Sequence, residues 1–160
     1  MREYIVASLI LFFVPPISAQ VVPTGWQVIK DAKGACQIAV PADWQPFGDV
    51  RSAAVFQDSA TALAVVTSQP KQTFSPLGEN LIRVLNIPKD KLFENSATRV
   101  FYQDKTSEGA GDLNGYSVSV PGKGGMCSAR LTFLPSVGDT LVRKIALSLG
   151  PVLPPATGSN

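Results

Sequence analysis

The sequence predicts an α+β domain in which two helices pack on a mainly antiparallel sheet of about six to seven strands. Short stretches of alternating apolar and polar residues, bounded by turn-forming residues, are typical of antiparallel strands. Two other segments repeat apolar residues every three or four positions, which is typical of helices packed by one face. The order of strands, helix, strands and helix lacks the regular alternation of a doubly wound parallel sheet.

Residues 1–19 have the features of a cleavable signal peptide. Arg2 precedes an apolar run, Tyr4–Val14, in which Ser8 is the only small polar residue. Two prolines and a small-residue site follow, so we expect cleavage between Ala19 and Gln20. The run has 11 residues, whereas a membrane span needs about 20. The sequence therefore predicts export to the periplasm or the extracellular space, with no membrane span after cleavage.

The chain after the signal peptide has the size of one domain, predicted over residues 20–150. Removal of Arg2 and Glu3 lowers the basic and acidic counts from 14 and 12 to 13 and 11. The two signs are interleaved, so neither a nucleic-acid surface nor a polybasic membrane patch is indicated. Residues 151–160 are uncharged and rich in proline, which predicts a flexible tail.

The strongest strand signal is a hairpin near the end of the domain. Tyr116–Val120 alternates strictly and is joined through Pro121–Gly125 to a second alternating segment, as in a β-hairpin. In chain order, the predicted strands are Trp26–Ile29, Cys36–Val40, Ala53–Phe56, Ala62–Thr67, Thr98–Gln103, Tyr116–Val120 and Cys127–Leu134.

The first helical segment lies between the fourth and fifth predicted strands. Ser75 can cap it and Pro76 suits the first helical position, while Pro88 is expected to end it. Its apolar face consists of Leu77, Leu81, Ile82 and Leu85. We expect the sheet to cover this face.

The second helical segment closes the domain. Asp139 or Thr140 can cap it, and Gly150-Pro151 is expected to stop it. Its apolar stripe consists of Leu141, Val142, Ile145, Ala146 and Leu149. This face also requires a sheet to cover it.

Cys36 and Cys127 are the only two cysteines, so a single pairing is possible. Each begins an alternating stretch whose apolar positions share its face, so both sulfurs are expected to point into a core. Export makes oxidation available and favours a disulfide. Two buried free thiols remain the alternative.

Three short stretches carry a family resemblance. They are Gly25–Ile29, Cys36–Trp44 with its Pro-Ala-Asp-Trp end, and Lys144–Leu149 in the closing helix. With the order of elements over most of the mature chain, they resemble the PsbP/Mog1-like superfamily. The resemblance implies an α-β-α sandwich. Members of that superfamily serve as photosystem accessory subunits, partners of a small GTPase and bacterial envelope proteins, which implies a binding role and no particular activity or site residue.

The chain contains no histidine, which excludes Ser-His-Asp and Cys-His nucleophile systems and the usual zinc sites. An enzyme would have to use Ser, Lys, Tyr, carboxylates or a cofactor. Ser68 and Lys71 match an S-x-x-K pattern, but that pattern needs both residues on one helix face. Pro70 lies between them at the end of a predicted strand, so a strand entering a turn is the favoured interpretation.

Two loops resemble ligand-binding motifs without matching them. Gly122–Gly125 contains a Gly-Lys-Gly, but it lacks the Ser or Thr and the following helix of a phosphate loop, so it is predicted to be a hairpin turn. Asp104–Asp112 with Asn114 offers oxygens for calcium, but it lacks the spacing and distal Glu of an EF-hand. The sequence predicts no metal site and no cofactor.

Trp44 and Phe47 follow the second predicted strand and are flanked by two prolines. Such aromatics either fill the edge of a core or form a contact surface. The family resemblance, the missing catalytic residue types and the small size favour a non-enzymatic binding or accessory protein of the cell envelope or secreted fraction, with an unknown protein or small ligand as its partner. A small hydrolase using Ser and Lys or carboxylates, and a structural envelope component, are the alternatives.

Overall fold

The computed structural model describes residues 22–55, 61–104 and 113–152. The predicted signal peptide, with its cleavage site at Ala19 and Gln20, lies outside these residues. In the described parts of the chain, the strands are β1 Trp26–Lys30, β2 Cys36–Pro41, β3 Gln45–Phe47, β4 Asp49–Val55, β5 Ala62–Pro70, β6 Leu92–Asn95, β7 Val100–Asp104, β8 Asn114–Gly122, β9 Gly125–Phe133 and β10 Gly150–Pro151. The helices are α1 Glu79–Val84 and α2 Asp139–Leu147, and short 3-10 turns lie at Lys89–Lys91 and Pro135–Val137.

Seven of the strands form one antiparallel sheet in the order β3-β4-β5-β9-β8-β7-β6. A smaller antiparallel sheet has the order β1-β2-β10. The predicted fold class, a mainly antiparallel sheet with two helices, is confirmed. The sequence does not predict β3, β6 and β10, because strands this short carry too little alternation to be recognised.

The core lies between the two sheets. In the small sheet, β2 packs across β5 and β9 while β1 packs across β4, and α2 covers β8 and β9 beside them. Alternate residues of β5, β8 and β9 point into this layer, as their burial patterns show. The most deeply buried side chains are Ile38, Val40, Val66, Val118, Leu131, Val142 and Ile145, with both cysteines.

Helix α2 buries one face, as its periodicity predicts. Its buried residues are Val142, Ile145 and Ala146. The prediction of Asp139 or Thr140 as the cap is wrong, because Gly138 occupies that position with φ +88° and without a side-chain cap. At the other end, Ser148 Oγ accepts a hydrogen bond from the Ala39 backbone N–H at 2.8 Å. This bond satisfies a backbone donor of β2 and ties the helix end to the small sheet.

Helix α1 is shorter than its apolar pattern predicts. It is preceded by Gly78 and not by a serine cap at Ser75. Its end is a Schellman turn: Asn86 is left-handed with φ +51°, and the Ile87 N–H donates to the Ile82 carbonyl at 3.1 Å. The left-handed residue stops the helix before Pro88 is reached.

The expectation that the sheet covers α1 is not met, because none of the residues of α1 is buried. The amide of Asn95, the last residue of β6, holds the backbone at Leu77 before the helix, and the chain leads from α1 through one 3-10 turn into β6. Because β6 is the outermost strand, this path places α1 beside the sheet edge and not over a sheet face.

Residues 151 and 152, which were predicted to begin the flexible tail, are part of the small sheet and its edge. Pro151 is part of β10, opposite Cys36 of β2, and the Val152 N–H donates to the Ala35 carbonyl at 2.9 Å. Proline is tolerated in β10 because this strand is the edge of the small sheet. Residues 153–160 lie outside the described part of the chain.

A disulfide joins Cys36 of β2 to Cys127 of β9, with Cα atoms 5.5 Å apart and a sequence separation of 91. Both sulfurs are buried in the core, as the alternation predicts. The bond therefore links the small sheet to the large one, and the alternative of two free thiols is wrong.

Candidate functional site

Of the two aromatics that were considered for a contact surface, one is buried and the other is exposed. Trp44 is only 4% exposed and belongs to the main core cluster. Its carbonyl accepts a hydrogen bond from Gln27 Nε2 at 2.6 Å, which holds this turn against β1. The contact-surface alternative is therefore wrong for Trp44, because its ring completes the core. Phe47 lies on β3 and is 47% exposed.

The Ser68 and Lys71 pair does not form a catalytic arrangement. Ser68 lies in β5 and Lys71 follows the strand in a left-handed conformation with φ +70°, so the helix face that the S-x-x-K chemistry needs is missing here. Instead, Ser68 Oγ donates a hydrogen bond to Asp31 Oδ2 at 2.6 Å. The interpretation of this stretch as a strand entering a turn is confirmed.

Asp31 is a buried carboxylate that sequence reasoning missed. It is 5% exposed, and Oδ1 accepts the N–H groups of Ala35 and Cys36, both at 2.7 Å. Oδ2 accepts the Lys33 N–H at 3.0 Å besides the Ser68 hydroxyl. An Asp followed by a Gly-containing turn is the sequence signal that could have found it.

The electrostatics of Asp31 follow from these bonds. Burial by itself raises the pKa of the carboxyl, but hydrogen bonds from Ser68 and from the backbone N–H groups of Cys36, Lys33 and Ala35 outweigh it, so the pKa lies below its ordinary value of 3.8. A carboxylate of lowered pKa is a weak general base. Its role here is to fix the turn between β1 and β2 and to join it to β5.

The glycine-rich segment is a hairpin turn, as predicted. Gly122 of β8 pairs with Gly125 of β9, and Lys123 and Gly124 form the tip. A side chain at Gly125 would collide with the Gln69 carbonyl of β5, so this glycine permits close approach of the hairpin to its neighbour.

The loop that offers oxygens for calcium without matching an EF-hand lies mostly outside the described residues. These include Asp104 and Asn114 at its two sides. The carboxylate of Asp104 is bound to Arg130 Nη2 at 3.3 Å and to Ser117 Oγ at 3.2 Å. Within the described residues, no three Asp, Glu or Cys side chains form a group that could hold a metal ion.

The exposed side of α1 is the most conspicuous apolar surface of the described residues. Leu81, Val84 and Leu85 are 46%, 76% and 42% exposed. Their spacing of three and four residues places them on one side of the helix. We refer to these three residues as the α1 face.

The α1 face is held in place from both ends. Before the helix, the Leu77 N–H donates to Asn95 Oδ1 at 2.7 Å and the Leu77 carbonyl accepts from Asn95 Nδ2 at 3.0 Å. After it, Ile87 is buried and acts as an apolar anchor. The three exposed side chains are therefore displayed on a fixed backbone and do not collapse onto the sheet.

A cleft of about 310 Å³ adjoins the α1 face and shares Leu85 with it. Its walls come from the end of α1 and from the facing ends of β7 and β8. The other lining residues are Asn86, Ile87, Pro88, Lys91, Gln103, Asp104, Leu113 and Asn114. The cleft combines apolar walls with a few polar groups, as ligand and peptide sites commonly do.

No family model matches the chain, and no curated protein matches it. Within the described residues, neither helix has the length and apolar character needed to cross a membrane.

Proposed function

We propose that this chain is an exported, non-enzymatic binding protein of the periplasm or the extracellular space, and that it binds a protein partner through the α1 face. The observation that carries the proposal is the exposure of Leu81, Val84 and Leu85 on a helix without a buried residue. Contiguous exposed apolar side chains commonly mark interaction sites. The resemblance to the PsbP/Mog1-like superfamily supports a binding role.

Export is supported by the predicted signal peptide and by the disulfide. Cys36 and Cys127 are joined across the core, and disulfides of this kind persist mainly in oxidising compartments. The two features therefore point to the same compartment.

Because the backbone of α1 is fixed, the α1 face is better suited to binding than an exposed disordered segment would be. A partner that covers the α1 face would not have to order the helix first, and preorganisation of this kind increases affinity. The adjoining cleft can take an apolar side chain of the partner beside Leu85, while Lys91 and Asn114, which also line the cleft, can hydrogen-bond the partner's backbone. We expect an apolar protein surface as the partner.

The hydrolase alternative has less support. Ser68 is committed to Asp31, and its neighbour Lys71 does not share a helix face with it. A structural envelope role does not require a fixed apolar helix face. Neither alternative is favoured by a particular observation in the described residues.

The double variant Leu81→Gln, Val84→Gln tests the proposal. Gln is a good helix former, and exposed substitutions usually change stability by about 0.5 kcal/mol or less, so we expect an unchanged thermal transition. The oxidised mature protein is immobilised and challenged with envelope extract. We expect one stoichiometric partner to be retained by the wild type and lost by the double variant.

The matched control is Leu147→Gln, because Leu147 is similarly exposed but lies on α2. This variant should keep the partner. Equal capture by the wild type and the double variant would contradict the proposal, as would loss of the partner in the control.

A further inference from the structure

Three lysines line two neighbouring clefts at one end of the molecule. Lys33 belongs to the turn between β1 and β2, Lys71 follows β5, and Lys123 is at the tip of the β8–β9 hairpin. We call these three residues the lysine end. A cleft of about 60 Å³ is lined by Lys33 and Lys123, and one of about 430 Å³ is lined by Lys71. Both clefts include Gly122 and Gly125, so they adjoin.

The lysine end carries three positive charges that form no ion pair within the described residues. None of the ion pairs found there includes Lys33, Lys71 or Lys123. Among the residues that the structure describes, neither cleft is lined by an Asp or a Glu. Asp31 lies in the same turn as Lys33 and is charged, but its two oxygens accept four hydrogen bonds from the Ser68 hydroxyl and backbone N–H groups, and within the described residues it forms no ion pair with a lysine.

Three hydrogen bonds hold together the backbone segments that carry the lysines. The Lys71 N–H donates to the Gly124 carbonyl at 3.2 Å, which fixes the chain after β5 against the hairpin tip. The Lys33 N–H and the Ser68 hydroxyl both donate to Asp31 Oδ2, so the carboxylate joins the Lys33 turn to β5. The lysine end is thus assembled from three separate parts of the chain.

The backbone of Lys71 is in a conformation that a lysine adopts at a cost. Its φ of +70° lies in the left-handed region, where a side chain other than Gly, Asn or Asp costs roughly 1–2 kcal/mol. The side chain is exposed and does not contribute to the core. Folding alone would therefore favour glycine or asparagine at this position, and strained positions of this kind concentrate at functional sites.

We propose that the lysine end is a binding site for the phosphate groups of an anionic ligand. Lysine provides a mobile charge with three donors, which suits phosphate oxygens. Gly124 at the hairpin tip has no atom within 4 Å of the place where a side chain would stand, so an anion can approach the hairpin backbone there. The larger cleft falls in the size range of small-molecule sites. No helix N-terminus takes part, so the site differs in kind from a nucleotide-binding phosphate loop.

Lys71→Asn and Lys71→Gly separate ligand binding from folding. Both residues accept the left-handed conformation, so each variant should unfold at the same temperature as the wild type or higher. Removal of a hydrogen bond to a charged group typically lowers affinity about tenfold. We expect that loss for tripolyphosphate, measured by calorimetry at low salt with the oxidised mature protein.

Lys144→Gln is the matched control, because Lys144 is an exposed lysine on α2. It removes the same charge and should change the affinity by less than about twofold, since screening weakens distant charges. Vesicles with and without phosphatidylglycerol form the second arm. Loss of binding in Lys71→Asn with either probe supports the site, and the probe that binds identifies free phosphate or a lipid headgroup as the source.

The proposal is overturned if the wild type binds neither probe, if Lys71→Asn binds like the wild type, or if Lys144→Gln weakens binding equally. In the last case only the net charge of the protein matters. The result is independent of the α1 face, because Leu81→Gln, Val84→Gln leaves the lysine end unchanged.

Discussion

Removal of the disulfide should cost this fold a large part of its stability. The double variant Cys36→Ala, Cys127→Ala opens a loop in which the two ends are 91 residues apart. For a loop of that length, chain entropy predicts a loss of about 4.6 kcal/mol. A domain of this size has a net stability of about 5–15 kcal/mol. The loop contains β3 to β8 and α1, so most of the large sheet is released in the unfolded chain.

Urea unfolding of the oxidised wild type and the double variant measures this loss. With a slope of about 2 kcal/mol per molar, the midpoint should fall by about 2 M. The wild type under reducing conditions serves as the control and should approach the variant. A loss below about 1 kcal/mol, or titratable thiol in the unfolded and unreduced wild type, would refute the reasoning.

Two further substitutions test the buried groups near the small sheet. Asp31→Asn places a donor amide against backbone N–H groups and should cost about 1.5–3 kcal/mol at pH 7. Because the folded-state pKa of Asp31 is lowered from 3.8, its contribution is complete above pH 3.8 and is lost as the pH falls through the folded-state value. Between pH 2 and 7, the melting temperature of the variant should therefore fall less at the acid end than that of the wild type. The same dependence on pH in both proteins would contradict this. Trp44→Ala should cost about 3–5 kcal/mol in chemical unfolding, and a change below 1 kcal/mol would show that its ring is not part of the core.

Local sequence patterns correctly predicted those elements in which the tertiary contacts bury the same face that the side-chain periodicity marks as apolar. The hairpin of β8 and β9 has strict alternation on both sides of a glycine-rich turn, and it forms the centre of the large sheet with β5. Helix α2 has a complete apolar stripe, and the sheet covers it. In both cases, side-chain periodicity and tertiary burial favour the same structure.

The first helix shows where a local pattern is insufficient. Leu77, Leu81, Ile82 and Leu85 have helical spacing, yet the helix begins only at Glu79 and buries none of its residues. Asn86 in the left-handed conformation and the Asn95 amide at Leu77 decide the length and place of the helix. The partner of Asn95 lies 18 residues away in sequence, a distance over which periodicity carries no signal.

The candidate sites depended even more on tertiary structure. The sequence left Trp44 open between core and surface, and burial against the two sheets decided it. It did not single out Asp31, because a carboxylate in a turn is ordinarily solvated and only the approach of β5 with Ser68 buries it.

The sequence by itself determined the α+β class, the central hairpin, the second helix and the inward direction of both cysteines, because these follow from alternation and periodicity within single segments. Tertiary structure decided that the cysteines meet, that α1 displays Leu81, Val84 and Leu85, and that Lys33, Lys71 and Lys123 share one end of the molecule. Each of these results depends on which distant strands pair, and pairing is set by the packing of the whole core.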